Sequence, residues 1–248
     1  LSFYENMTSF TNTKLRMERE AGFTLLELLI VISIIAILSV ALIFVLNPTE
    51  TLRKSRDAQR ISDMATIKTA LGIYTTGTTT PYLAGVASNA GCKTGSAGGS
   101  YGSGNKIYYS LSSTSAITDT TLDAGTGSVP AALQVTATAL TLTDATGWLP
   151  VSLDSLIGGS PISSLPIDPV NIISDLSAVS GITVGTNPPD YVYRYACNST
   201  SLTYEIDSVL ESTTYTTTDN KMAKDGGNNA NYYEVGTNLK ILGTGTDF

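Results

Sequence analysis

The stretch Ala21-Gly22-Phe23-Thr24-Leu25-Leu26-Glu27-Leu28-Leu29-Ile30-Val31-Ile32-Ser33-Ile34-Ile35-Ala36-Ile37-Leu38 decides how the rest of this 248-residue chain is read. It opens an apolar run from Phe23 to Leu46 in which Glu27 is the only charged residue. At 1.5 Å per residue such a run forms a helix of roughly 36 Å, long enough to cross a hydrocarbon core of about 30 Å with some tilt. A secretory signal would carry a shorter apolar core and a small-x-small cleavage site, and the residues after Ile37 offer none. Glu27 then poses a problem of charge. A carboxylate one turn inside a membrane-length helix costs a few kcal/mol unless it is paired or lies near the interface. The neighbouring charges, Glu20 and Glu50, are both acidic. A chain cut after Gly22 would create an amine four residues from Glu27. Pairing with the amine of an adjacent copy would satisfy both groups in a packed bundle. The residues therefore predict proteolysis followed by assembly.

Outward from this run, composition marks further zones. Residues 1–22 are polar, with Lys14, Arg16 and Arg19 set against Glu5, Glu18 and Glu20, and read as a leader outside the fold. Asn47-Pro48 interrupts the run, because proline lacks a backbone donor and biases the residue before it away from the helical region. A kink is predicted at Pro48 within one long helix, from about Phe23 to Thr76. Over 47–77, Ile61, Met64, Ile67, Leu71 and Tyr74 recur at helical spacing and need a surface to bury against. Arg56, Asp57, Arg60 and Asp63 lie opposite and read as a solvated or inter-subunit face. Residues 78–146 are rich in Thr, Ser and Gly, with flexible Gly-Ser tracts at 95–104 and strands expected at Lys106–Leu111 and Leu133–Leu142. Residues 147–248 carry short apolar-aromatic runs at 190–196, 202–209, 231–235 and 239–242, which read as antiparallel strands.

Composition also excludes chemistry. The chain has no histidine, which removes a Ser-His-Asp triad, a Cys-His pair and histidine-ligated zinc. Its net charge is −7, and an acidic body does not favour nucleic acid. The 13 tyrosines read as sheet aromatics rather than a base-stacking platform.

The segment Gly22-Phe23-Thr24-Leu25-Leu26-Glu27-Leu28-Leu29 resembles the class III signal of type IV pilins and of the pseudopilins of type II secretion systems. The resemblance extends through Arg56-Asp57-Ala58-Gln59-Arg60-Ile61-Ser62-Asp63. It continues in the distal region through Gly147-Trp148-Leu149-Pro150-Val151, Leu165-Pro166-Ile167-Asp168-Pro169-Val170-Asn171, Tyr204-Glu205-Ile206, Asp225-Gly226-Gly227 and Tyr233-Glu234-Val235-Gly236. It implies an α+β, pilin-like lollipop, with a long N-terminal helix packed on an antiparallel β-sheet head. Taken with composition, it gives a leader at 1–22, a transmembrane and polymerisation half-helix at 23–46, an amphipathic second half at 47–77 and a head at 147–248, with 78–146, which the resemblance does not cover, as an expanded Ser/Thr/Gly-rich loop with strands. It further implies cleavage between Gly22 and Phe23 by a prepilin peptidase, N-methylation of Phe23, and pairing of Glu27 with a neighbouring subunit's N-terminus.

The implied partners are other pilins in a homo- or hetero-polymer, the prepilin peptidase, an assembly platform with its ATPase, and the membrane. The protein would be a single-pass inner-membrane precursor that becomes an extracytoplasmic filament, a structural subunit rather than an enzyme. A pilus subunit and a secretion or competence pseudopilin both fit, and a signal-anchored enzyme or binding protein is the reading from another class. Cys92 and Cys197 are the only thiols, and an extracytoplasmic head favours a disulfide between them. Asp219 and Asp225 stand in a turn-rich acidic loop, where related pseudopilins carry calcium; ordinary Asx turns are the competing reading.

Overall fold

The computed structural model describes residues 22–93, 107–112, 135–173 and 191–242. The leader 1–21, the Gly-Ser tracts and the ends of two expected strands at Lys106 and Leu133 lie outside the described residues. Two compact units divide at Asn47 and Pro48.

The first unit carries helix α1, Leu25–Leu46, 22 residues long. Its window Leu25–Ile43 is long and apolar enough to cross a membrane, and none of that window is buried. Its two serines are satisfied internally: the Ser33 hydroxyl donates to the Ile30 carbonyl at 2.7 Å and the Ser39 hydroxyl to the Ile35 carbonyl at 2.8 Å. Intrahelical back-bonding of this kind lets a hydroxyl sit in an apolar helix without an outside partner. The helix ends where Asn47 takes a left-handed conformation, φ 39°, a region that asparagine tolerates better than most residues.

The second unit begins with helix α2, Pro48–Gly77. Proline favours a first helical position, where its missing N–H would have had no intrahelical partner. Two helices separated by Asn47 thus replace the single kinked helix expected from 23 to 76. Among the described residues, four strands follow: β1 Tyr108–Tyr109, β2 Arg194–Asn198, β3 Thr203–Ser208 and β4 Tyr233–Gly236. They form one antiparallel sheet in the order β1-β2-β3-β4. An N-terminal helix followed by a small antiparallel sheet is the α+β, pilin-like arrangement.

Side-chain alternation gives the sheet two different faces. Tyr108, Tyr195, Cys197, Tyr204, Ile206 and Val235 belong to one core with Met64, Ile67, Ala70, Leu71 and Tyr74 of α2, capped by Trp148, Leu149 and Val151. Within the stripe read from sequence, Met64, Ile67, Leu71 and Tyr74 are buried and Ile61 is half-buried. Tyrosine hydroxyls in this core find backbone partners: Tyr195 donates to the Leu83 carbonyl at 2.8 Å and Tyr204 to the Lys68 carbonyl at 3.1 Å. On the other face, Ile107, Tyr109, Val192, Ala196, Ile241 and Leu242 form a smaller core.

Two expected strands are absent where described. Residues 135–142 run through turns, with the Ala139 N–H donating to the Thr136 carbonyl and the Leu142 N–H to the Ala139 carbonyl, both at 3.0 Å. Alternating Thr and Ala carry too little side-chain contrast to enforce a strand. Residues 239–242 also stay out of the sheet, because the Glu205 carboxylate takes the N–H groups of Ile241 and Leu242, at 2.6 and 2.8 Å, where a neighbouring strand would have. The other strands are shifted or shorter than the runs that announced them.

A disulfide joins Cys92 to Cys197 across 105 residues, with Cα atoms 4.7 Å apart. Backbone bonds run alongside it, from the Lys93 N–H to the Cys197 carbonyl at 2.7 Å and from the Ser199 N–H to the Lys93 carbonyl at 2.9 Å. The crosslink fastens the segment after α2 to the end of β2. Closing so long a loop chiefly restricts the unfolded chain, and a native crosslink of this kind contributes about 2–4 kcal/mol. Replacing both cysteines by serine should lower the unfolding free energy by that amount, read by chemical denaturation; an unchanged free energy would show that the backbone bonds suffice.

Candidate functional site

The junction predicted from sequence lies at the open end of α1. An added Cβ at Gly22 would meet nothing within 4 Å, and Phe23 is 87% exposed. Both residues precede the helix, so the peptide bond between them is not locked in helical hydrogen bonds. Thr24 is the N-cap, in extended conformation, and Glu27 is the third helical residue. Together they make a capping box. The Glu27 N–H donates to Thr24 Oγ1 at 3.2 Å, while Glu27 Oε2 accepts from the Thr24 N–H and from the Thr24 hydroxyl, both at 2.9 Å. Two groups at the helix start are thereby satisfied, and the carboxylate lies where the helix dipole favours negative charge.

The Glu27 carboxylate thus has its first partners within its own chain, in Thr24. The signal was present in the sequence as Thr24-x-x-Glu27, the capping-box spacing. Both bonds fall on Oε2, and among the described residues Oε1 remains for an external donor such as a chain-terminal amine.

The site thus combines a small residue, an exposed aromatic, a capped helix start and an acid five positions after the glycine, all in front of an exposed apolar helix. Residues 17–43 match the family model of the prokaryotic N-terminal methylation motif. This is the signal motif of type IV pilins and pseudopilins. The methylation motif spans the whole candidate junction and most of α1. No curated protein and no solved structure matches the chain.

Outside the methylation motif, the face of α2 read as solvated or inter-subunit carries two buried charges, with Arg56 and Asp63 half-buried beside them. Asp57 and Arg60 are fully buried. Arg60 grips Asp168 through Nε at 2.7 Å and Nη2 at 3.0 Å, and donates from Nη1 to Asp57 and to Glu211, each at 2.8 Å. Arg56 makes a second two-pronged contact with Glu211, at 2.5 and 2.7 Å. The Asp57 carboxylate in turn accepts from the Glu211 N–H at 3.0 Å and the Ser212 N–H at 2.8 Å. The ring of Tyr191 lies 4.7 Å from the guanidinium carbon of Arg60, and the Tyr193 hydroxyl donates to Asp63 at 2.9 Å.

Burial opposes the charge on Arg60, but hydrogen bonding and charge pairing with Asp168, helped by Glu211 and Asp57, hold its pKa above the ordinary value. Burial likewise opposes ionisation of Glu211, and Arg56 and Arg60 outweigh it, keeping this carboxyl below its ordinary range. Sequence periodicity missed the cluster because a charged residue on the side opposite an apolar stripe is usually solvated. Asp168, read as a turn former, has that role too: its Oδ1 accepts from the N–H groups of Val170 and Asn171, at 2.8 and 3.2 Å.

Asp219 and Asp225 each have partners within the loop. Asp219 pairs with Lys221 at 2.6 Å and Lys224 at 2.7 Å, and the two ammonium groups hold its carboxyl down to about 2. Asp225 accepts from the N–H groups of Gly227 at 2.9 Å and Glu234 at 2.8 Å. Among the described residues no group of three or more Cys, Asp or Glu side chains is arranged to hold a metal ion.

Proposed function

We propose that this chain is the precursor of a structural filament subunit of the type IV pilin and pseudopilin class. In this reading α1 anchors the precursor in the cytoplasmic membrane, and a prepilin peptidase cuts between Gly22 and Phe23. The new Phe23 amine is methylated. Release of the leader lets α1 exchange lipid for the α1 helices of neighbouring subunits, and the growing contact is heterologous, so the product is a fibre rather than a closed ring. The Oε1 atom of Glu27 then meets a neighbour's terminal amine, and the second unit is displayed outside the membrane. Assembly would draw on other pilins, an assembly platform and its ATPase. The Ser/Thr/Gly-rich 78–146 region favours a surface fibre over a secretion or competence pseudopilin, because a decorated outer face suits contact with surroundings.

The observation that carries this reading is the methylation motif with its junction exposed ahead of an unburied apolar helix. Mass spectrometry of the mature chain from membranes and sheared surface material tests it. The expected N-terminus is an N-methylated Phe23. A mature chain still carrying residues 1–22 would instead identify a plain membrane anchor.

A further inference from the structure

The sheet face turned away from α2 carries a buried acidic pair that the filament reading does not use. Glu205 on β3 and Glu234 on β4 are 0% and 1% exposed and lie on the same face, since Glu205 is opposite Gly236 and Glu234 opposite Asp207. Each carboxyl spends one oxygen on backbone: Glu205 Oε2 accepts from the Ile241 and Leu242 N–H groups, and Glu234 Oε2 accepts from the Asn229 N–H at 3.0 Å. The remaining oxygens, both Oε1, are buried and have no hydrogen-bond partner, and the two carboxyls are near enough to influence each other's ionisation. Two ionised carboxylates would leave both oxygens buried and unsatisfied side by side, because neither has a hydrogen to donate, whereas one proton between them supplies a donor. We propose that Glu205 and Glu234 share one proton and form a lock that holds residues 225–242 on the sheet at neutral pH and releases them as the medium becomes alkaline.

The surroundings give the lock its direction. Asp207 on β3 and Asp225 in the loop before β4 add negative charge near the pair, and Arg194 on β2 is bound two-pronged by Asp207 with the Tyr232 ring 3.8 Å from its guanidinium carbon. Burial, then the neighbouring carboxyls of Glu234 and Asp207, push the Glu205 carboxyl well above its ordinary range; burial pushes Glu234 up to about 7. The unfolded carboxyls titrate near 4.5. A group raised on folding contributes stability that is complete below the unfolded value and is lost as pH climbs through the folded one, so the segment loosens above about pH 7. Relief by rotation is blocked on one side: Gly227 approaches so closely that a Cβ there would fall 1.8 Å from Glu234 Oε2. What the pair holds is part of the smaller core, because Ile241 and Leu242 are among its buried members and their N–H groups are the ones bound.

The test uses the full chain in detergent micelles, with amide hydrogen exchange corrected for intrinsic rates at pH 6 and pH 9. In the wild type, protection at Ile241, Leu242 and Asn229 should fall roughly tenfold or more relative to Tyr195 and Ile206. Glu234→Gln supplies a permanent donor to Glu205 and should abolish the difference. Equal protection at both pH values, or the same loss in E234Q, overturns the proposal. Should E234Q not fold, infrared spectra of the wild type decide: a neutral carboxylic-acid band at pH 6 that vanishes by pH 9 supports the shared proton, and no such band refutes it.

Discussion

Replacing Glu27 by alanine is expected to leave cleavage after Gly22 intact while reducing assembled polymer tenfold or more. In the proposed mechanism the cut requires an accessible junction, and Gly22 and Phe23 are exposed ahead of the helix. The polymer, in the proposed mechanism, requires a charge on Glu27 to meet a neighbour's amine in a dry bundle, where breaking one side of an ion pair costs about 3–5 kcal/mol. Because Glu27 also caps its own helix, alanine alone confuses two losses. Glutamine separates them, since it serves in a capping box but carries no charge. Glu27→Gln should therefore assemble as poorly as Glu27→Ala, while Thr24→Ala, which loses the cap and keeps the charge, should assemble far better than either. Filament yield by electron microscopy of sheared material is the measurement. Normal filaments from the glutamine variant would assign the role of Glu27 to capping and remove the charge pairing.

The largest loss of stability is expected from Arg60→Ala, about 3–5 kcal/mol, with a fall in Tm of roughly 10 °C for a unit of this size. The substitution leaves Asp57 and Asp168 buried without their cation and Glu211 with Arg56 alone. Arg60→Lys should recover only part of the loss, because an ammonium cannot make the two-pronged contact with Asp168 while also reaching Asp57 and Glu211. The same cluster predicts acid sensitivity. Glu211 is held below its ordinary value, so its contribution is present above the unfolded pKa of about 4.5 and disappears as pH falls through the folded one. Thermal unfolding of the wild type and both variants from pH 7 to pH 3 checks this. An alanine variant within about 1 kcal/mol of the wild type would mean that water replaces the guanidinium at little cost.

The Arg60 cluster also shows where reading the chain linearly stops. From residues 47–77 alone, Ile61, Met64, Ile67, Leu71 and Tyr74 could be named as an apolar stripe, of which all but the half-buried Ile61 are buried, since a period near 3.6 is a property of neighbours in sequence. That Arg60 is buried could not be named, because its partners Asp168 and Glu211 lie 108 and 151 residues away. The strands suffered for a related reason. Apolar-aromatic runs at 190–196 and 202–209 announced themselves by composition, but the pairing that sets the strand ends did not. The segment 239–242, equally apolar, lost its ladder to a side chain from β3.

What the sequence determined by itself is the contiguous part: a 24-residue apolar run, its interruption at Asn47-Pro48, the glycine-aromatic junction and the acid that follows. These are local features, since length, periodicity and the spacing of a motif need no knowledge of what packs beside them. The tertiary structure alone decided the fate of the charges, placing Asp57, Arg60, Glu205 and Glu234 out of water. Whether a polar group is solvated or buried depends on which distant segment covers it and which donors arrive with that segment, and no spacing along the chain contains that information.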